Sequence, residues 1–412
     1  MSLFKQIFTY VQNAWMICTL YFICLAMNKY ILFLFVFLAA CTPKQYKSDT
    51  YTLIPTEYYY ICNLDNETRV PLHNLYLIEQ DSLEFLTFSD PATRSILIYN
   101  IPSGRLEKKL TFPIEGSNGI GGPLYGYLIR DFNHIYIPSV NRSVIYETDT
   151  TGVIRDIYDF TKTTDGIFTV PAYYTNHDNK QLFFIGDSLY IPQMLNRSIG
   201  EKSWIENSPT LIAMDTLNKE IVVSGMLYPH ERINSGNYGL YISDLTYSSV
   251  CVDNEIIYSF ALEDNLYKQN LHTGKIDQYL AKSRFISEIE LIKLSLNPEE
   301  TAKKNCEMAS YGNILYDKYR KVYYRFVFPK TSLGKEDNYI EILQSGKKEF
   351  SIMILDQDFN LLGEVLFPSF TYLPQICFIN KDGLYISVNH FKRKDYSDDV
   401  LRFQLIKLQE LK

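Results

Sequence analysis

The chain has 412 residues, 40 of them basic and 47 acidic, for a net charge of −7. Only Lys5 and Lys29 are charged within residues 1–40, which leaves 38 basic against 47 acidic residues in the remainder. A body with that balance lacks the excess Lys and Arg by which proteins hold nucleic acid or anionic lipid through general electrostatics. Its 34 Tyr and 25 Phe suit pleated, half-buried surfaces and lean the composition toward strands.

The amino-terminal segment carries an address. An uncharged apolar run over residues 14–26 precedes a second one, MNKYILFLFVFLAACTPKQ, that begins at Met27. In the second run Lys29 supplies a positive n-region, Ile31 to Phe37 an apolar stretch, and small residues prepare a cleavage point. Leu38-Ala39-Ala40-Cys41 resembles the bacterial lipobox, in which the Cys thiol is acylated and becomes the first mature residue. A single anchor from residue 14 to 40 would be long enough to span a bilayer, but it would place Lys29 near the hydrocarbon centre at a cost of several kcal/mol. The expected organisation is an upstream extension from a mis-called start (1–26), a lipoprotein signal peptide (27–40), a tether (41–48) and one folded domain (49–412).

Beyond residue 50 one phrase recurs: a turn residue, then an aliphatic and aromatic run. It reads DSLEFLTF (81–88), NHIYIP (133–138), DSLYIP (187–192), NEIIYSF (254–260), KVYYRFVF (321–328) and DGLYISV (382–388). The anchors Leu83, Ile135, Leu189, Ile256, Val322 and Leu384 are spaced by 52, 54, 67, 66 and 62 residues, which makes six repeats. An apolar stretch precedes each phrase, and two more strands usually follow, joined by turns at Ser103-Gly104, Thr151-Gly152, near Asn218, at Thr273-Gly274 and near Asn360. Gly and Asn suit the positive φ of tight hairpins.

Four antiparallel strands per repeat predict an all-β, six-bladed β-propeller. The last repeat lacks a fourth strand, whereas DTYTLIPTEYYY (49–60) is a strand with no repeat of its own. The expectation is that it completes the sixth blade and closes the ring. Residues 283–309 break the strand rhythm, and Asn297-Pro298-Glu299-Glu300 reads as N-cap, proline at the first helical position and acidic first turn. This predicts a small helical insertion between blades four and five.

The lipobox, the phrase YNIPSGRLEKKLTFPIEGSNGIG (99–121) and the following YLIRDFNHIYI (127–137) resemble the propeller-like lipoproteins of Bacteroidetes grouped as domain of unknown function 4221. The resemblance covers essentially the whole mature chain, and its most specific part is the Glu115-Gly116-x-Asn118-Gly119 loop. It implies a cell-envelope lipoprotein with a six-bladed propeller fold, and it carries over no activity and no catalytic residue.

The chemistry-bearing motifs are few. Seven Cys form no CxxC and the six His are scattered, so no metal site or cofactor is expected. Cys62, Cys251, Cys306 and Cys377 are either buried free thiols or disulfide partners after export. EGSNGIGG (115–122) leads into a strand rather than a helix, which removes a phosphate-loop reading. The segment is a flexible inter-blade turn reaching toward the channel mouth, or an anion-binding concavity in which Asn118 and Gly119 take part.

Arg94, Arg142, Arg197 and Arg393 recur in the loops after the anchor strands, on the face expected to carry the glycine-rich connection. Their forks suit carboxylate or phosphate, so they form either a rim for an anionic sugar, peptide or lipid head group, or braces between blades. Tyr125, Tyr127, Tyr173, Tyr174, Tyr238, Tyr241 and Tyr311 are expected in or near inner strands, and Asp131, Asp178, Asp244 and Glu307 are the acidic candidates of the same face. No catalytic residues are assigned.

The leading expectation is therefore a lipid-anchored propeller of the bacterial outer membrane that binds a ligand or an envelope protein through one loop face, without nucleic acid. A propeller enzyme acting on carbohydrate through channel carboxylates and a structural subunit of an envelope complex are the alternatives, since propellers host all three.

Overall fold

The computed structural model describes residues 48–70, 75–171, 180–194, 208–229, 246–290 and 297–412. The domain from Asp49 to Lys412 is one unit. Strand β1 (Tyr51–Asn63) stands apart in sequence from the six repeats. Blade 1 comprises β2 (Leu75–Gln80), β3 (Leu83–Asp90), β4 (Ser95–Asn100) and β5 (Arg105–Thr111). Blade 2 comprises β6 (Leu128–Asp131), β7 (His134–Pro138), β8 (Val144–Thr148) and β9 (Ile154–Asp159).

Blade 3 comprises β10 (Phe183–Ile185), β11 (Ser188–Pro192), β12 (Leu211–Asp215) and β13 (Ile221–Val223). Blade 4 comprises β14 (Tyr247–Val252), β15 (Glu255–Phe260), β16 (Asn265–Asn270) and β17 (Ile276–Leu280). Helix α1 (Pro298–Glu307) follows, then blade 5: β18 (Ser310–Asp317), β19 (Val322–Phe328), β20 (Phe350–Leu355) and β21 (Leu361–Phe367), with α2 (Tyr339–Ser345) between β19 and β20. Blade 6 comprises β22 (Leu373–Ile379), β23 (Leu384–Ser387), β24 (Val400–Glu410) and, as its outermost strand, β1.

Each blade is a four-stranded antiparallel sheet. The ring closes through β1 and β24, paired from Tyr51↔Glu410 to Asn63↔Val400 with a break between Pro55 and Tyr59. This is the arrangement anticipated from the unattached strand at 49–60, and α1 is the anticipated insertion, capped by the Asn297 side chain accepting from Glu300 N. Residues 285–290, at the start of the segment that breaks the strand rhythm, form turns and irregular chain. Helix α2 was not foreseen.

Six hydrophobic clusters occupy the six gaps between adjacent blades. Strand β19 shows why its sequence, VYYRFVF, reads as one apolar run rather than an alternation. Val322, Tyr324 and Phe326 face blade 6, whereas Tyr323 and Val327 face blade 4. A sheet buried on both faces has no reason to alternate polar with apolar.

The turns divide into two chemistries. Gly104, Gly152 and Gly274 take φ of 65, 78 and 71°, as expected of Gly at those hairpins. At the other two, positive φ falls on Lys219 and Phe359 rather than on the adjacent Asn. Asn218 accepts a hydrogen bond from Glu220 N, and Asn360 lies in a turn capped by Asp356. The Phe359 ring is buried in the gap between blades 4 and 5, so packing holds it in that conformation.

One charged side chain bridges that gap. Arg325 is fully buried at the blade-4 face of β19. It donates to Ser259 Oγ (3.0 Å) and to the carbonyls of Asp264 (2.9 Å), Ala281 (2.7 Å) and Glu263 (2.6 Å). Its guanidinium lies 3.5 Å from the Tyr311 ring centroid. Burial lowers its pKa to about 10, which leaves it charged at neutral pH. Arg325→Leu would strand several buried carbonyls, so urea unfolding of the variant is expected to show a loss of about 3 kcal/mol or more. A loss under about 1 kcal/mol would show that the gap does not depend on this bridge.

Candidate functional site

In an antiparallel blade the second-to-third-strand loops and the blade-to-blade connections fall at one end, and the remaining hairpins fall at the other. Arg94, Arg142 and Arg393 all lie in second-to-third-strand loops and so share the first face. Arg197, Cys41, Tyr173, Tyr174, Asp178, Tyr238, Tyr241 and Asp244 lie outside the described residues.

The three described arginines are held differently. Arg94 takes φ of 56° in the loop after β3. Its carbonyl accepts from Phe112 N at 3.0 Å and its Nε donates to Phe112 O at 3.1 Å, which ties it to the edge of its own blade. Arg393 closes its fork on Asp395 at 2.9 and 3.0 Å. Arg142 is exposed, and among the described residues no hydrogen bond or ion pair engages its guanidinium. Asp159 is held below the usual carboxylate range chiefly by hydrogen bonds from Thr161, with the nearby Arg142 charge adding to the effect.

The glycine-rich connection runs from the Phe112 that binds Arg94 to Gly122. A Cβ placed on Gly122 would stand 3.0 Å from Val140 Cγ2 and 3.4 Å from Asn141 Nδ2, in the loop bearing Arg142. Arg94, the glycine-rich chain and Arg142 therefore adjoin at one corner between blades 1 and 2. Within that chain Asn118 Oδ1 accepts from Ile154 N at 3.0 Å, on the outermost strand of blade 2. Gly119 folds back so tightly that a Cβ would sit 2.6 Å from Ile114 O.

The central channel holds a cavity of about 360 Å³ bordered by residues of all six inner strands, among them Leu75 to Ile78, Leu128, Phe183, Val250, Tyr316 and Phe378. Four consecutive residues of β2 can border one space only if the strand edge, with its backbone groups, forms the wall. No carboxylate belongs to this lining. Asp131 instead accepts from the His134 ring at 2.9 Å at a hairpin, and Glu307 receives Leu333 N at 3.0 Å beside α1. Tyr127 donates to Thr87 Oγ1 (2.8 Å) within the blade 1–2 packing, and Tyr311 packs on Arg325. Among the described residues no group of His, Cys, Asp and Glu is placed to hold a metal. Cys62, Cys251, Cys306 and Cys377 are free thiols.

Residues that no sequence motif marked gather over blades 5 and 6. Asp337 receives Lys392 (3.1 Å) and Lys348 (3.5 Å), and Lys392 also lies 4.0 Å from the centre of the Phe370 ring. His390 is buried between Phe370 and Phe391, with Nδ1 accepting from Lys392 N at 3.2 Å and Nε2 unpartnered. The one legible signal was Asn338 with Gly346, the caps of α2.

Burial first, then the charges of Lys392 and Arg393, pulls the His390 pKa down to about 4. The unfolded chain, titrating near 6.5, then binds more protons than the folded one between those values. Stability therefore rises with pH across that window and is lost as pH falls through it. Between pH 7.5 and pH 5 the His390 contribution is expected to fall by about 2 kcal/mol. His390→Asn, compared with the parent by urea unfolding at both pH values, should lack that increment. An unchanged pH dependence would show that His390 titrates as freely in the folded state.

Among curated proteins none matches the chain. A crystal structure from Bacteroides vulgatus, named as a member of the DUF4221 family, is 24% identical, with 89% of this chain and 100% of that chain covered at a TM-score of 0.75. A Bacteroides fragilis protein named as an exported one is 10% identical, with coverage of 90% and 98% and a TM-score of 0.50. Both likenesses are of fold. The profile described as Domain of unknown function (DUF4221) matches residues 47–366, and the chain belongs to that family.

Proposed function

We propose that the chain is a lipid-anchored propeller of the bacterial cell envelope that binds a carboxylate-bearing sugar or peptide through the loop face at the corner of blades 1 and 2. The observation that carries this reading is the exposed guanidinium of Arg142, which no hydrogen bond or ion pair engages among the described residues, on a loop that adjoins, through the glycine-rich chain, the loop of Arg94, whose Nε donates to Phe112 O. Two forks on adjoining loops suit two oxygens of one anion, and each charge-assisted pair is worth roughly 1.5–3 kcal/mol. Arg393 lies on the same face but is already committed to Asp395. Asn118 and Gly119 shape the connection between the two main arginines rather than touching ligand. An envelope address is supported by the run ending at Cys41 and by the exported name of the Bacteroides fragilis protein of like fold.

Oligogalacturonate, titrated by calorimetry at low salt, is a suitable probe. Arg94→Ala with Arg142→Ala is expected to weaken it by roughly 10–100-fold, and Arg393→Ala much less. Equal affinity in the double variant and the parent would overturn the binding corner. The anchor is tested separately in cells fed labelled palmitate. Cys41→Ala should lose the label and leave the membrane pellet, and retention of label would place acylation elsewhere or nowhere.

A further inference from the structure

Helix α2 is arranged against its own surroundings. Ile340 and Leu343, three residues apart on one side of it, are 50% and 38% exposed. Beneath its carboxyl end the Gln375 side chain has both amide atoms buried with no hydrogen-bond partner among the described residues. The two are pressed together, since a Cβ on Gly346 would stand 2.9 Å from Gln375 Oε1. Apolar groups outside and an unpaired amide inside are a local conflict of the sort folded chains keep where a second arrangement is used.

The position of the amide gives the conflict a meaning. Gln375 lies on β22 between Leu373 and Cys377, where the pairing with β23 is interrupted. Cys377, Phe378 and Ile379 of the same strand border the channel, so Gln375 lies two residues along β22 from the channel lining, with the carboxyl end of α2 against it.

What holds α2 there is largely polar. Cys306 Sγ of α1 donates to Tyr339 O at 3.5 Å, and the Lys347 ammonium reaches Met308 O (2.5 Å) and Ser310 Oγ (3.0 Å). Asp337 ties the segment to Lys392 at 3.1 Å. Such ties exchange readily for water, whereas the apolar contribution is small, with Ile342 the buried apolar side chain of the helix.

We propose that α2 and the chain on either side of it, residues 333–348, form a lid that covers the Gln375 amide and lifts to present it. The inference goes beyond the arginine corner and stands without it. Lifting gives the amide two donors and an acceptor to offer, and it uncovers Cys306, which is 2% exposed beneath the lid.

Cys306 therefore reports the motion in the full-length protein. Native-state alkylation with N-ethylmaleimide, followed by peptide mass spectrometry, reads the rate at each thiol. Cys62, 0% exposed between blades 6 and 1, is the internal control. Gln375→Leu removes the unpaired amide, steadies the closed lid and should slow Cys306 about tenfold, while leaving Cys62 unchanged. Gly346→Ala acts the other way. At φ of 92° its Cβ is strained and meets Gln375, and Cys306 alkylation should accelerate several-fold. Each comparison is of one thiol with itself, so intrinsic reactivity cancels. Unchanged Cys306 rates in both variants, or changes that Cys62 shares, would overturn the lid.

Discussion

Everything in this fold follows from the burial of every sheet on both faces. A blade such as blade 5 has no solvent side: the odd residues of β19 belong to one neighbouring gap and the even residues to the other. A single blade would leave two apolar faces in water, and a row of blades would leave one at each end. Only a closed ring removes both, so the pairing of β1 with β24 is a condition of the whole and not an ornament of blade 6. Arg325 belongs to the same logic. It occupies an odd position where an apolar residue would otherwise fill the blade 4–5 gap, and it is tolerable there because the turn after β15 and the end of β17 supply the carbonyls.

That constraint leaves function to the ends of the ring. The blade faces are consumed by packing, and the channel wall is strand edge, with no carboxylate in its lining. Loops at the ends are free to vary because their residues are not needed in the gaps. Charged side chains gather there: the exposed Arg142 between blades 1 and 2, and the ion-paired Lys348, Lys392 and Asp337 group over blades 5 and 6.

The architecture was legible because it is periodic. Leu83, Ile135, Leu189, Ile256, Val322 and Leu384 recur at the start of each second strand, and all but Leu83 are buried or nearly so. The stray strand before them could be placed by counting, and Asn297-Pro298 announced α1. The loop chemistry was less accessible. Sequence puts Arg94, Arg142 and Arg393 in equivalent loops, but their partners are Phe112 O, none among the described residues, and Asp395, and nothing in three similar pentapeptides distinguishes those fates. Gln375 and His390 carry no motif at all. Their interest is in buried polar atoms without a hydrogen-bond partner among the described residues, the Gln375 amide and His390 Nε2, a property that exists only once the surrounding chain has been folded around them.

The closing pair of strands also sets an order of events. Thr56 donates to the carbonyl of Leu405, 349 residues away. Contacts of such separation form late, after the intervening chain has collapsed enough to bring the strands together. Until then the thirteen residues of β1 have no blade to join. A long strand rich in tyrosine and isoleucine, waiting with both edges bare, is the stretch of this chain most in need of shelter from other chains during folding.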